Sequence, residues 1–144
     1  MTDDAADVLL AGRALDLVVR DRIRFGRGAV AMLPELVRDA GGKRAFIVTD
    51  GGVVASGVID VVRHSLEAGG IEVGVYDGVE PNPGTSSVER GSAALVAFGT
   101  PGTVVVPVGG GSSMDTAKAV SLHAINGGDV LALGYHDPNL VPGV

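Results

Sequence analysis

The stretch TVVVPVGGGSSMDTAKAVSLHA, residues 103–124, constrains the fold more than any other. Val104, Val105, Val106 and Val108 make an apolar run that predicts a strand of a sheet covered on both faces. Gly109, Gly110 and Gly111 follow at once, and Ser112, Ser113, Met114 and Asp115 lead into a helical pattern with Ala117, Val120 and Ala124 on one face. A strand, a glycine turn and a helix start suit an anion lying against peptide N–H groups. Glycine permits the tight turn and close backbone approach, and the first helical turn offers unpaired donors with positive dipole character. The segment therefore points to a phosphate-bearing ligand along Gly110, Gly111, Ser112 and Ser113; the alternative use of these glycines is tight packing of helix on strand. Spacing excludes two common phosphate loops. No Gly-Lys-Ser/Thr ending is present, and Met114 stands where the G-x-G-x-x-G fingerprint needs its last glycine. Pro107 removes an N–H from a strand expected to be central, so a broken ladder is expected at the carboxyl rim.

The rest of the chain repeats the alternation. Residues 44–49 (RAFIVT) read as a strand ending in Asp50-Gly51-Gly52, and a helix follows with Val54, Val58, Val61 and Ser65 at one-face spacing, closed by Gly69-Gly70. Residues 71–76 read as a third strand, weakened by Gly74, before the rigid turn Glu80-Pro81-Asn82-Pro83-Gly84. Thr85 or Ser86 then caps a helix burying Val88, Gly91, Leu95 and Phe98, which stops at Gly99. Upstream, Val30, Leu33 and Val37 mark a helical face up to Gly41-Gly42, with Pro34 near its first turn. Residues 15–19 and 23–25 look extended, as a hairpin around Arg20, Asp21 and Arg22 would be; residues 130–135 are ambiguous, and residues 136–144 are loop-like. Three strand–helix alternations argue for a Rossmann-like parallel α/β sheet with helices on both faces, whose ligands bind outside the strands' carboxyl ends. Three polar or glycine-rich clusters fall at such ends: Asp50-Gly51-Gly52, residues 77–84 and residues 109–113.

Composition bounds the function. With 144 residues the chain is one domain, divisible into an extended segment (1–28), βα units (29–126) and a loop-like tail (127–144). A net charge of −6 argues against nucleic-acid and anionic membrane surfaces, though not against a phosphate site built from local donors. The absence of cysteine excludes disulfides and thiolate metal sites and suits a cytoplasmic protein. No apolar run reaches the ~18 residues of a membrane span, and Asp3, Asp4 and Asp7 before the first apolar residues are the wrong charge for a signal peptide. His64 and His123 lie within helical patterns without ligand spacing around them, so packing or surface roles are expected; His136 beside Asp137 has no third ligand nearby.

GGGSSMDTAKA resembles the GGGS-x-x-D-x-x-K signature of the iron-containing (group III) alcohol dehydrogenases, a superfamily that also holds glycerol dehydrogenase and, more distantly, dehydroquinate synthase. RIRFGRGAVAMLPEL is similar to the family's opening, FIVTDGG to the strand whose terminal Asp holds the adenosine ribose, and YDGVEPNPG to its F/Y-D-x-V-x-P-N-P segment. The resemblance implies that Gly110, Gly111, Ser112 and Ser113 lie along the NAD(P) pyrophosphate, with Met114 beside them and Asp115 toward the nicotinamide end. It also implies that Asp50 contacts the ribose and Asn82 the cofactor. For Lys118 an Asp115–Lys118 structural pair is the expectation, one helical turn apart. Asp50 has a competing role as a helix cap, and Asp77 with Glu80 has one as an acid/base pair.

In the resembled family one Asp and three His from a separate helical domain hold the metal, and none of those motifs is present here. The expected function is the NAD(H)-binding, amino-terminal half of a metal-dependent oxidoreductase that interconverts an alcohol and an aldehyde or ketone. Iron or zinc is expected only in the missing domain, no catalytic residue is assigned, and the chain alone is expected to be inactive. A stand-alone nucleotide-binding or regulatory module without catalysis is the alternative. A kinase of the GGDGS/T type fits less, because Gly111 stands where an Asp is wanted. The extended segment at residues 23–25 has an edge that can pair with a second chain, so a homodimer is expected.

Overall fold

The computed structural model describes residues 23–133 and 140–144. A 3-10 turn, Ala29–Met32, leads into helix α1 (Leu33–Asp39), and strand β1 follows (Arg44–Asp50). Helices α2 (Gly51–Ala55) and α3 (Val58–Ala68) connect it to strand β2 (Glu72–Val79), and α4 (Thr85–Phe98) to strand β3 (Thr103–Pro107). Helix α5 (Gly111–Asn126) and a second 3-10 turn, Val130–Ala132, complete the described elements. The three strands form a parallel sheet in the order β2-β1-β3.

The central strand is the apolar FIVT run. Alternate residues of β1 serve opposite cores: Ala45 and Ile47 meet Val37, Ile59, Val62, Leu66 and Ile71, whereas Phe46 and Val48 meet Val88, Leu95, Ala117 and Val120. A near-continuous hydrophobic run is what a parallel strand covered on both faces requires. Thr49 is fully buried as well, and its hydroxyl donates to the Val108 carbonyl at 2.7 Å, tying the carboxyl ends of β1 and β3 together. At the opposite rim Arg44 donates to Glu72 (3.0 Å) and to the carbonyls of Phe98 and Gly99, with its guanidinium 4.1 Å above the Phe98 ring. One side chain thus joins two strands' starts to the carbonyl end of α4, where a cation is favoured.

The structure departs from the sequence reading at five places. Val54, Val58 and Val61 do not form the buried face: they are 39–57% exposed, and Ile59, Val62 and Leu66 are buried instead. Gly57, at φ 77°, ends α2 and restarts the chain as α3, so the phase carried across it from Val54 is lost. Helix α4 is preceded by Gly84 and has no side-chain cap from Thr85 or Ser86. β3 lies at an edge of the described sheet, and its valines are half-buried, not covered on both faces. Its ladder is not broken by Pro107 either. The Val108 N–H reaches the Val48 carbonyl at 3.0 Å, so alternation along a parallel strand turns the imide nitrogen of Pro107 to the side without a described neighbour. Residues 23–25 form no strand, with Ile23 and Phe25 exposed. The other arm of the expected hairpin, 15–19, lies outside the described residues, as does His136.

Gly74 explains itself in space. A Cβ there would stand 2.8 Å from both Phe46 and Phe98, whose rings pair at 5.6 Å between centroids. Strand propensity favours valine over glycine at such a position; packing opposes it. Gly74→Val is expected to destabilise the domain by about 1–3 kcal/mol in urea unfolding, the range for overpacked cores. A stabilised variant would show that propensity wins.

Candidate functional site

Three chain turns meet at the carboxyl rim of the sheet and enclose a cleft of about 470 Å³. Asp50, Gly51 and Gly52 come from the end of β1, Val79, Glu80 and Pro81 from the end of β2, and Gly110 to Ser113 from the turn after β3. The three clusters singled out in the sequence therefore converge at one rim, through Glu80 and Pro81 in the case of the middle one.

Of the helices that follow the strand ends at this rim, the two that line the cleft, α2 and α5, begin differently. At α2, Asp50 is the N-cap: its Oδ1 accepts from the N–H groups of Gly52 (2.9 Å) and Val53 (3.0 Å). The capping role weighed for Asp50 is thus real, and it occupies one oxygen. At α5 no side chain caps the N-terminus, and the first intrahelical bond runs from Met114 N–H to the Gly110 carbonyl at 3.1 Å. Helix geometry leaves the N–H groups of Gly111, Ser112 and Ser113 without intrahelical acceptors, at the wall of the cleft. A Cβ on Gly110 or Gly111 would meet no protein atom within 4 Å, so the space above these peptides is open to a ligand.

Asp50 and Ser113 face each other across the junction. Ser113 is fully buried, and its hydroxyl lies 3.4 Å from the second Asp50 oxygen, Oδ2. Gly109 makes the approach possible: at φ 145°, a Cβ there would fall 2.5 Å from Ser113 Oγ and 3.3 Å from Asp50 Oδ2. Neither the Ser113 contact nor the need for Gly109 was assigned from sequence, although a buried-phase serine opposite a strand-end Asp was a usable signal.

Glu80 is engaged by Arg90 at 2.6 Å, and Arg90 in turn has its pKa raised above the ordinary arginine value, first by Tyr76 and then by Glu80. Of the Asp77–Glu80 pair weighed from sequence, Glu80 alone is on the cleft wall, and its carboxylate is engaged by Arg90. Tyr76 and Ser87 brace the same turn, both donating to the Gly78 carbonyl at 3.1 and 3.2 Å.

Three of the residues expected along the cofactor lie off the cleft walls. Asn82 sits one residue beyond Pro81, exposed, with a φ of 53°. Met114 lines a groove with Pro107, Lys118 and Val144 on the other side of α5. Asp115 pairs with Lys118 at 3.5 Å, as the helical spacing implied, beside an apolar hollow of about 400 Å³ walled by Ala119, Leu122, Val130, Leu133 and Leu140. His64 is exposed, and His123 Nε2 lies 3.1 Å from the Gly128 carbonyl at the end of α5. Among the described residues no three His, Cys, Asp or Glu side chains are grouped to hold a metal.

A parallel sheet with an uncapped helix start and an acidic strand end at one rim is the architecture of a Rossmann-like α/β domain. The family model for iron-containing alcohol dehydrogenase matches residues 21–142, and the chain belongs to that family. It is 44% identical over 109 residues to a choline dehydrogenase of Bacillus subtilis, covering 76% of this chain and 27% of that protein. It is 38% identical over 120 residues to 1,3-propanediol dehydrogenase of Klebsiella pneumoniae, covering 82% of this chain and 30% of the relative. The crystal structure of an NADH-dependent butanol dehydrogenase A from Thermotoga maritima superposes with a TM-score of 0.68 at 36% identity, over 80% of this chain and 29% of that one. The chain thus spans about a third or less of the length of these relatives.

Gly111→Val tests the cleft directly. Its side chain would project into open space, so the fold is expected to persist while NADH affinity falls about tenfold or more. Unchanged affinity in a folded variant, measured by calorimetry, would remove the loop from the site.

Proposed function

We propose that the chain is the NAD(H)-binding part of a metal-dependent oxidoreductase that interconverts an alcohol with an aldehyde or ketone. The observation that carries this reading is the uncapped start of α5 opening on the same cleft as Asp50. A dinucleotide needs both: N–H donors for its pyrophosphate and an acceptor for its ribose hydroxyls. The cleft offers both within one wall, and family membership supplies the chemistry to which such a cofactor belongs. Asp50, Gly110, Gly111, Ser112 and Ser113 form the binding surface in this reading, with Asn82, Met114 and Asp115 reached by the more distant parts of the cofactor.

Hydride transfer would come from the cofactor itself, while metal and substrate groups would come from chain outside these residues. No step is assigned to a side chain of this domain. We further propose a cytoplasmic protein; the homodimer expected from a strand edge at residues 23–25 loses that basis, because those residues form no strand. Among the described residues no helix is long and apolar enough to cross a membrane. A nucleotide-binding module without catalysis would use the same cleft, and turnover of an alcohol with NAD by the complete protein separates the two.

Cofactor choice follows from Asp50. A carboxylate at the strand end can accept from the 2′- and 3′-hydroxyls of adenosine ribose but meets a 2′-phosphate as a like charge, a juxtaposition that costs several kcal/mol in general. Among the described residues no basic side chain lines the cleft to offset it, and Arg44 is committed at the opposite rim, roughly 20 Å away at strand rise. NADH is therefore expected to bind more tightly than NADPH. Asp50→Gly is expected to narrow or reverse that preference, and glycine is itself a tolerated N-cap, so α2 should survive. Equal affinities for the two cofactors in the unmutated chain would contradict the assignment.

A further inference from the structure

We propose that Ser113 is a positioning residue that holds the Asp50 carboxylate in the orientation that discriminates a free adenosine ribose from a 2′-phosphorylated one. The inference rests on the reading of the cleft as a dinucleotide site, but it gives Ser113 a different task from the phosphate contact that its place in the glycine turn suggests. Its peptide N–H lies in the first turn of α5, at the cleft wall, while its hydroxyl is engaged with Asp50. The side chain is fully buried, and among the described residues the hydroxyl has one hydrogen-bond partner, Asp50 Oδ2 at 3.4 Å. That distance is long for O–H···O, so bond strength is not the argument. Burial is: a hydroxyl shut away from water is costly to leave unpaired, and Oδ2 is the acceptor within reach.

The geometry at Asp50 makes this contact consequential. Oδ1 is already held by two peptide N–H groups at 2.9 and 3.0 Å, which fixes one end of the carboxylate but leaves its plane free to tilt about that end. Ser113 supplies the second point. Two fixed oxygens define the plane, and the lone pairs not used by the protein are then aimed consistently at the cleft. A ribose diol presents two O–H donors to such an acceptor, whereas a 2′-phosphorylated ribose keeps only its 3′-hydroxyl and brings a negative charge against the carboxylate. Gly109 is the condition for the arrangement, because any side chain there would occupy the space between Ser113 Oγ and Asp50 Oδ2.

The test compares NADH and NADPH affinities by calorimetry in the unmutated chain, Ser113→Ala, Ser113→Thr and Asp50→Gly, with thermal melting of each. Ser113→Ala is expected to weaken NADH about three- to tenfold, the range of one net hydrogen bond, and to change NADPH less, so that the ratio of affinities narrows. Ser113→Thr keeps the hydroxyl and, if its melting temperature matches the unmutated chain, is expected to restore the ratio. An unchanged ratio in Ser113→Ala alongside a narrowed one in Asp50→Gly would overturn this inference and leave the cofactor reading standing. Equal weakening of both cofactors with a lowered melting temperature would make Ser113 purely structural and overturn it as well. Failure of the unmutated chain to bind NADH would overturn the reading of the cleft and the inference with it.

Discussion

The demand that everything else answers is the burial of β1 on both faces and both edges. A strand whose residues 45–49 are all shut from solvent must have every peptide group paired, because an unpaired N–H or C=O there has no water to turn to. β2 and β3 supply those partners from Arg44↔Glu72 and Arg44↔Thr103 as far as Val48, after which the register against β2 shifts before Asp50↔Val79. Parallel pairing forbids tight hairpins, so each connection crosses over through a helix, and the helices in turn cover the two faces. Because all three strands run parallel, their carboxyl ends lie at one rim. The site is a consequence of that rim: wherever β1, β2 and β3 end, their turns must meet.

What the turns carry decides what the rim can do. β1 ends on a carboxylate that spends one oxygen on capping α2, and β3 ends on glycines that leave α5 uncapped. The cleft therefore combines an acceptor and a set of donors within the reach of one extended ligand. Thr49 and Ser113 keep the two turns in fixed relation, the first through Val108 and the second through Asp50 itself. Both are small, buried and polar. Their value lies in tying elements far apart in the chain, since neither donates to solvent or packs as well as an apolar residue would.

Much of this was legible along the chain because it is local. The valine run, the glycine triplet, the Asp-Gly-Gly end of β1 and the Pro-rich turn are each written in adjacent residues, and they marked the strands, the parallel topology and the rim. Phase was less secure. Val54, Val58 and Val61 have the spacing of a helical face, but Gly57 interrupts the helix between them, and a left-handed residue resets the count. Position in the sheet was not legible at all: valines suit an edge strand with one covered neighbour as well as a central one, and it takes the order β2-β1-β3 with the Val108–Val48 hydrogen bond to show that Pro107 turns its nitrogen away from β1. The place of Ser113 after the glycine triplet speaks only for its peptide N–H; its side chain is a separate matter. Its actual partner lies 63 positions earlier, a distance that no local pattern spans.

The electrostatics of the cleft then resolve an apparent conflict. A chain with a net charge of −6 is asked to hold a pyrophosphate, itself an anion. Net charge acts at long range and is screened over about 8 Å at physiological ionic strength, whereas hydrogen bonds from peptide N–H groups act at contact. The acidic residues nearest the site are also occupied: Glu80 by Arg90, and Asp50 by two N–H groups and a hydroxyl. Among the residues lining the cleft none is a lysine or arginine. Affinity for phosphate in such a site comes from the direction of dipoles and not from opposite charge. A site built from dipoles has little with which to answer additional negative charge, so in the proposed reading the feature that would admit a pyrophosphate also works against a third phosphate beside Asp50.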